Sequence, residues 1–303
     1  MAPVFKGVEF VPSGLNEMVN LSDPLIQIKA ASGICTAFAV LSTWFRLYIR
    51  ARRRQLWIED AWAAISMGAL GTQMAAVFIE PSTSTGVVRY YIMSNTFYAT
   101  IWCARLSILF SIIRIRRKFL RIRPLPLIAA AFLIVWFILT AQIYWECETR
   151  TEWKRTTVPQ CKLSSTVPIC QLITDVISDS ILVFHSIKQF MDISDKKLRL
   201  RLILIFGSCI MTTAVSACHA MYLLRSESHA ILISAFIENA ISLIVCNIPV
   251  AVTAAFKLKE EEKILSSPDQ LPSLLMPSSV DHWQDDDISS LHLRKQYTPS
   301  SPL

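Results

Sequence analysis

The chain has 303 residues, of which 53% are hydrophobic and only 17% are charged. Its mean hydropathy of +0.43 excludes an ordinary soluble globular domain. The net charge of +7 does not indicate a nucleic-acid-binding protein, because the basic residues cluster between apolar segments and not along one soluble face.

Seven long apolar segments follow a short extracellular arm at residues 1–25, and a tail rich in Ser and Pro occupies residues 257–303. At about 1.5 Å of rise per residue, each segment is long enough to cross a hydrocarbon core of about 30 Å. The composition of the tail predicts disorder, because it cannot bury a core. The sequence therefore predicts an all-α, seven-transmembrane helix bundle over residues 26–256, with segments at 26–48, 58–79, 91–113, 125–145, 167–188, 202–224 and 230–256.

Positive charge alternates between the connecting loops. The loops before segments two, four and six contain basic runs at Arg46–Arg54, Arg114–Arg123 and Lys188–Arg201, whereas the other loops are less basic or balanced by glutamates. Basic loops stay in the cytoplasm, so this pattern predicts an outside N-terminus and a cytoplasmic C-terminus. We expect a plasma-membrane protein whose basic inner loops contact anionic lipid and a cytoplasmic signalling partner.

Two of the eight cysteines are distinguished by their position. Cys147 and Cys161 bracket an outer loop that also contains Trp153, and this loop enters the oxidising lumen during synthesis. The two interpretations are a disulfide and a pair of free thiols. The other cysteines lie in apolar segments and have no metal-ligand spacing, so we expect them to be small packing residues.

Five of the ionisable side chains within the predicted membrane segments stand out, because a charge away from the segment ends needs a partner or a purpose. Asp175 and Asp179 are four residues apart and share a helix face, and Arg105 lies at a depth that allows it to pair with Asp179. His219 and Glu238 lie in the outer halves of segments six and seven. This set is either a buried polar network that fixes the helix register or a ligand or ion cavity that opens outward.

Two further groups lie towards the cytoplasmic side. Glu59 and Asp60 begin segment two, where the helix dipole favours negative charge and Arg46 is across a short loop. A structural clamp and direct coupling to a partner are the two interpretations of this group. In segment seven, Pro249 removes a helix hydrogen bond and Asn247 offers an amide to the freed carbonyl, which predicts a kink.

The sequence lacks the features of several functional classes. No central lysine is available for a retinal Schiff base, since the first lysine after Ala230 is Lys257 at the predicted cytoplasmic border. The chain carries no Gly-rich phosphate loop, HExxH, GxSxG or catalytic acid/base pair. We therefore expect neither enzymatic activity nor a cofactor or metal.

The chain resembles the fungal rhodopsin-like domain family of seven-helix membrane proteins over about residues 25–256. The motifs that carry the resemblance are Arg46 with Trp57-Ile-Glu-Asp60, Arg105-Leu-Ser-Ile-Leu109 with Arg114, Cys147…Trp153…Cys161, Asp175 with Asp179, and Glu238…Cys246-Asn-Ile-Pro249. The sequence departs from the family pattern at Glu59 and Arg105, which keep the charge, and it lacks the usual proline around Leu182–His185. The resemblance implies a receptor-like membrane protein without the retinal lysine.

Three functions are compatible with these patterns. The leading hypothesis is receptor-like sensing of an extracellular or membrane-borne cue. One alternative is a transporter or channel that uses the intramembrane carboxylates, although no inverted repeat is evident. The other is a membrane accessory protein of secondary metabolism.

Overall fold

A computed structural model describes residues 24–79, 83–116, 124–156, 159–190, 196–226 and 228–265. The arm at residues 1–25 and the tail at residues 257–303 therefore lie almost wholly outside the described residues. Every regular element in the described ranges is a helix: α1 Pro24–Arg52, α2 Ile58–Val77, α3 Thr83–Arg116, α4 Pro124–Thr149, a short 3-10 helix Thr151–Arg155, α5 Thr166–Phe190, α6 Lys196–Arg225 and α7 Ser228–Leu265. Contacts divide the chain into two units, residues 1–256 and 257–303, and of the second only the α7 residues 257–265 are described.

Six helices of the described part are long and apolar enough to cross a membrane, namely all except α2. The chain is therefore a multi-pass helical membrane protein. Helix α2 has 20 residues, which corresponds to about 30 Å, but it is not among these six and contains the polar residues Glu59, Asp60 and Gln73. These three side chains are all buried in the bundle.

Helix α3 lies at the centre of the bundle. It packs against α2, α4 and α5, while α1 packs on α2 and α6 packs on α5. In the most apolar stretch of α3, 83% of the window is buried, compared with 22% of the corresponding stretch of α4. Helix α4 is therefore a peripheral helix. Hydrogen bonds join α7 to α1, α2 and α6, through Asn247, Asn239 and Ser234 respectively.

Large apolar side chains face outwards on the peripheral helices. Phe38 and Trp44 on α1, Leu127 and Phe137 on α4, and Phe184 on α5 are each more than half exposed. In water such a surface would be strongly unfavourable, whereas lipid tails are as apolar as these side chains. The exposed surface thus agrees with a bundle surrounded by lipid.

Short connections join two pairs of consecutive helices. Arg54, after α1, and Ser226, after α6, both have a positive φ, of 49° and 56°. This left-handed conformation ends a helix and turns the chain within a few residues. At the start of α2, Asp60 Oδ2 accepts the N–H of Trp57 at 3.1 Å and so caps the helix. Helix α7 continues through Pro249, and the kink there stays a prediction.

The disulfide between Cys147 and Cys161 is present, with their Cα atoms 5.8 Å apart, so this prediction is confirmed. It joins the end of α4 to the segment before α5. Trp153 fills the loop that the disulfide closes: its Nε1–H donates to the Cys147 carbonyl at 3.0 Å, and its ring contacts Tyr90 and Tyr91 of α3. The loop is therefore fixed to the central helix.

Replacing both Cys147 and Cys161 with Ser is expected to lower the free energy of unfolding by about 3 kcal/mol, because the unfolded chain then loses a restraint over a separation of 14 residues. Thermal unfolding of the purified protein in detergent measures the change. Cys218→Ser is the matched control, since this thiol is free and exposed. A wild-type protein whose melting temperature does not respond to reductant would contradict the prediction.

Candidate functional site

A buried ion cluster joins α3 to α5. Arg105 Nη1 lies 2.6 Å from Asp175 Oδ1, and Arg105 Nε lies 3.1 Å from Asp179 Oδ1. All three residues are at most 5% exposed. The two aspartates are one turn apart on α5 and present both carboxylates to the same guanidinium. Charges this deep are stabilised only by close partners, and here each has one.

Hydroxyl groups of α6 satisfy the second oxygen of each aspartate. Ser216 donates to Asp175 Oδ2 at 2.5 Å, and Thr212 and Thr213 donate to Asp179 Oδ2 at 2.8 and 3.1 Å. The cluster thus ties three helices together through charge-assisted hydrogen bonds, which are the stronger kind. On the other side, the Arg105 guanidinium lies 5.2 Å from the centre of the Trp102 ring, a cation–π contact.

Glu238 of α7 lies at the edge of the ion cluster. It is 3% exposed and lies near Ser216 and the carboxylate of Asp175. Its Oε2 atom has no hydrogen-bond partner within the described part of the chain. The cluster therefore combines three carboxyl groups with one guanidinium. If all of them are ionised its net charge is −2, so two protons or an equivalent positive charge would neutralise it.

His219 does not join the ion cluster. Its Nδ1 forms a 2.7 Å hydrogen bond with the Ser234 hydroxyl of α7, and its ring lies 5.0 Å from that of Phe97. Because Ser234 also donates to the Ile231 carbonyl at 3.0 Å, its oxygen accepts the hydrogen of Nδ1, and Nε2 is left as an acceptor. Of the five intramembrane residues singled out in the sequence, four meet in one network, and the histidine lies above it.

A cavity of about 440 Å³ opens at the disulfide end of the bundle, the end where α2, α4 and α6 finish and α3, α5 and α7 begin. His219 is the one member of the predicted set that lines it. Its volume falls within the range of about 300–1,000 Å³ that is typical of small-molecule sites. The other lining side chains include Gln73, Tyr90, Met93, Phe97, Tyr98 and Gln171.

The floor of the cavity lies one helical turn from the ion cluster. Gln171 precedes Asp175 by four residues on α5, and His219 follows Ser216 by three residues on α6. Residues at these spacings are neighbours on one helix face. Ala235 has the same relation to Glu238 on α7. A molecule in the cavity would therefore press on the helices next to the residues that hold the ion cluster.

The loop after the 3-10 helix forms one wall of the cavity. Pro159, Gln160 and Leu163 line it, together with Cys161 of the disulfide. The loop approaches α3 so closely at Gly86 that a Cβ atom there would lie 2.7 Å from Pro159 Cδ. Glycine is needed at this position because a proline ring cannot move aside within a packed loop.

A second polar cluster occupies the opposite end of the bundle, where α1 ends and α2 begins. Arg46 Nε binds Asp60 Oδ1 at 3.0 Å, and its Nη1 donates to the Cys246 carbonyl at 2.8 Å. Asn247 Nδ2 donates to Thr43 Oγ1 at 2.9 Å, which completes the link between α1 and α7. Pro249 frees the Val245 carbonyl, one residue before the Cys246 carbonyl that Arg46 binds. The Asn247 amide donates to α1 and not, as the sequence suggested, to the freed carbonyl.

Glu59 belongs to this opposite-end cluster through two other arginines. Its Oε1 atom lies 2.9 Å from Arg50 Nη2 and 2.8 Å from Arg114 Nη1. The backbone carbonyl of Glu59 also accepts a hydrogen bond from Ser107 of α3 at 2.8 Å. The cluster therefore joins α1, α2, α3 and α7.

Some polar contacts were not evident from the sequence. Gln73 and Asn239 are hydrogen-bonded between α2 and α7, and Tyr98 donates to Gln171 Oε1 at 3.3 Å between α3 and α5. Amides and tyrosines within apolar segments are ambiguous, because many simply snorkel or bind their own backbone. Within the described ranges, no group of His, Cys, Asp and Glu residues is arranged to hold a metal ion.

No model of a known protein family matches this chain, and no curated protein matches its sequence.

Replacing Arg105 with Met is expected to lower the free energy of unfolding by about 3–5 kcal/mol, because two buried aspartates then lose their cation. Arg150→Met is the matched control, because its side chain is 66% exposed and lies 3.4 Å from Glu146, and pairs with an exposed member contribute about 0–1 kcal/mol. Thermal unfolding in detergent and surface abundance measure the change. Adding Asp175→Asn and Asp179→Asn to Arg105→Met should restore part of the stability, because the unpaired carboxylates are then removed. An Arg105→Met protein as stable as Arg150→Met would contradict the prediction.

Proposed function

We propose that this chain is a receptor-like, seven-helix protein of the plasma membrane that binds a small molecule in the cavity at its disulfide end, without retinal and without enzymatic activity. The observation that carries the proposal is the position of that cavity, one turn above the buried ion cluster on three different helices. A cavity built in this way connects occupancy to the packing of the helices. A purely structural polar network needs no cavity above it.

Two clusters on shared helices support a path for the signal. Helix α3 carries Arg105 in the ion cluster and Ser107 beside the opposite-end cluster, and α7 carries Glu238 and Asn247 in the same order. A shift of α3 or α7 at the cavity therefore changes the hydrogen bonds of both clusters. Coupling of this kind requires an element with two arrangements that the ligand biases.

Helix α2 is the seventh crossing in this proposal. It is about 30 Å long, and its acidic residues bind arginines inside the bundle, so they are not presented to lipid. The orientation proposed from the basic loops puts the disulfide end outside. There the Cys147–Cys161 bond forms in an oxidising compartment and the cavity is open to extracellular molecules.

The resemblance to the fungal rhodopsin-like domain family is part of the proposal. The residues that carry the resemblance are those that pair in the bundle: Arg46 with Asp60, Arg105 with Asp175 and Asp179, and the two cysteines. Residues scattered along the sequence that meet in space are the pattern expected of a common architecture. The basic inner loops would then contact a cytoplasmic signalling partner.

Filling the cavity tests the proposal without a known ligand. Ala235→Phe places a ring in the cavity and should change hydrogen–deuterium exchange around Arg46–Asp60 at the opposite end, measured by mass spectrometry in nanodiscs. Ala141→Phe is the matched control, because Ala141 lies on the exposed face of α4 near the same end. Exchange changes confined to the cavity walls in Ala235→Phe would contradict signal transmission.

A proton-coupled transporter is the second candidate, and the excess of carboxyl groups in the ion cluster favours it. Proteoliposomes would be loaded with a pH-sensitive dye, and a membrane potential would be imposed on them. If the protein carries protons, the interior acidifies with the wild type and does not acidify with Glu238→Gln. A receptor leaves the internal pH unchanged in both proteins. Acidification by the wild type alone would replace the receptor proposal with this one.

A further inference from the structure

The walls and the mouth of the cavity differ in character. The walls are mostly apolar, with Met93, Phe97, Leu163, Leu223 and Leu232 among them. Among the described residues that line the cavity, the charged ones are Arg89 and Lys162, and none is acidic. A site with this distribution of groups favours a ligand with an apolar body and a negative charge at one end.

The two cations lie where the cavity meets solvent. Lys162 is exposed and Arg89 is partly exposed, whereas the lining residues Tyr98, Gln171 and His219 are at most 3% exposed. The positive end of the cavity is therefore its mouth. No ion pair within the described residues joins either cation to a carboxylate.

The backbone is restrained next to Lys162 and binds Arg89 directly. Lys162 follows Cys161, which the disulfide ties to the end of α4. Arg89 Nη1 donates to the carbonyl of Ile79 at 3.2 Å, and among the described residues no other group accepts from its guanidinium. The nearby Glu148 does not compete, because it already accepts from Lys154 Nζ at 2.7 Å and from the Tyr91 hydroxyl at 2.7 Å.

We infer that the cavity binds an amphipathic anion, with its apolar body among the walls and its acidic head group at Lys162 and Arg89. The inference rests on the proposed function and names the ligand class for the same site. The chemistry fits a single-chain carboxylic acid that arrives from water and equally an anionic lipid head group. At the floor, Gln171 Nε2 has no hydrogen-bond partner among the described groups, so an oxygen on the far part of the ligand would find a donor there.

Binding of tritiated dodecanoic acid to the full chain in nanodiscs tests the inference, with empty nanodiscs as background and unlabelled methyl dodecanoate as the uncharged competitor. Wild-type protein should bind the acid at least about tenfold more tightly than the ester, since one charge-assisted hydrogen bond contributes about that factor. Equal affinity for acid and ester would overturn the inference.

Three variants locate the site. Lys162→Met should weaken binding of the acid about tenfold and leave competition by the ester unchanged. Lys154→Met is the matched control, because this lysine lies in the same loop, pairs with Glu148 and does not line the cavity. Ala235→Phe should abolish binding of both probes. Acid binding that survives Ala235→Phe, or that falls equally in both lysine variants, would overturn the inference.

Two arms separate the sources of the anion. If binding of the acid is equal in zwitterionic nanodiscs and in nanodiscs with anionic phosphatidylglycerol, the site takes a soluble acid. If the anionic lipid displaces the acid, the site takes a lipid head group of the same chemistry. Both results support an amphipathic anion.

Failure of the inference and failure of the proposed function give different results. Selective binding of the acid that leaves hydrogen–deuterium exchange at Arg46–Asp60 unchanged would overturn the receptor proposal and keep the ligand class. An exchange change caused equally by acid and ester would keep the receptor proposal and overturn the ligand class.

Discussion

Burial of the Arg105 charge is the constraint on which the rest of the bundle depends. A guanidinium at this depth requires anionic partners from another helix, and Asp175 and Asp179 provide them at 2.6 and 3.1 Å. These aspartates in turn require donors, which fixes the rotation of α6 so that Ser216 and Thr212 face α5. One charge on the central helix thus determines how two further helices are turned.

The opposite-end cluster also pairs buried charges from different helices, but its carboxylates come from one helix and its arginines from two others. There the carboxylates begin α2 and the arginines come from α1 and α3, so the short connection between α1 and α2 places Arg46 against Asp60. The apolar core between the two clusters, which includes Leu106 and Leu243, packs without specifying rotation. Polar contacts specify it at both ends, which is why a molecule acting at one end can affect the other.

Much of the polar arrangement could be predicted, because ionisable residues in apolar segments have few possible partners. The depth of Arg105 was sufficient to suggest its pairing with Asp179, whereas its pairing with Asp175 was not predicted. The cavity could not be predicted in the same way. It is lined largely by residues such as Met93 and Phe97, whose types are typical of any membrane helix, and its wall is a loop whose path depends on the disulfide and on the contact of Gly86 with Pro159.

The sequence by itself determined the helical membrane class, the apolar segments and the residues that must find partners, because bilayer thickness and the cost of buried charge act on each segment separately. Only the tertiary structure decided that α3 is central, that His219 faces a cavity while Glu238 joins the ion cluster, and that Lys162 and Arg89 share the mouth of that cavity. Those arrangements depend on how each helix is rotated against its neighbours. The rotation of a helix is set by contacts between residues far apart in the chain, and a local sequence pattern does not specify those contacts.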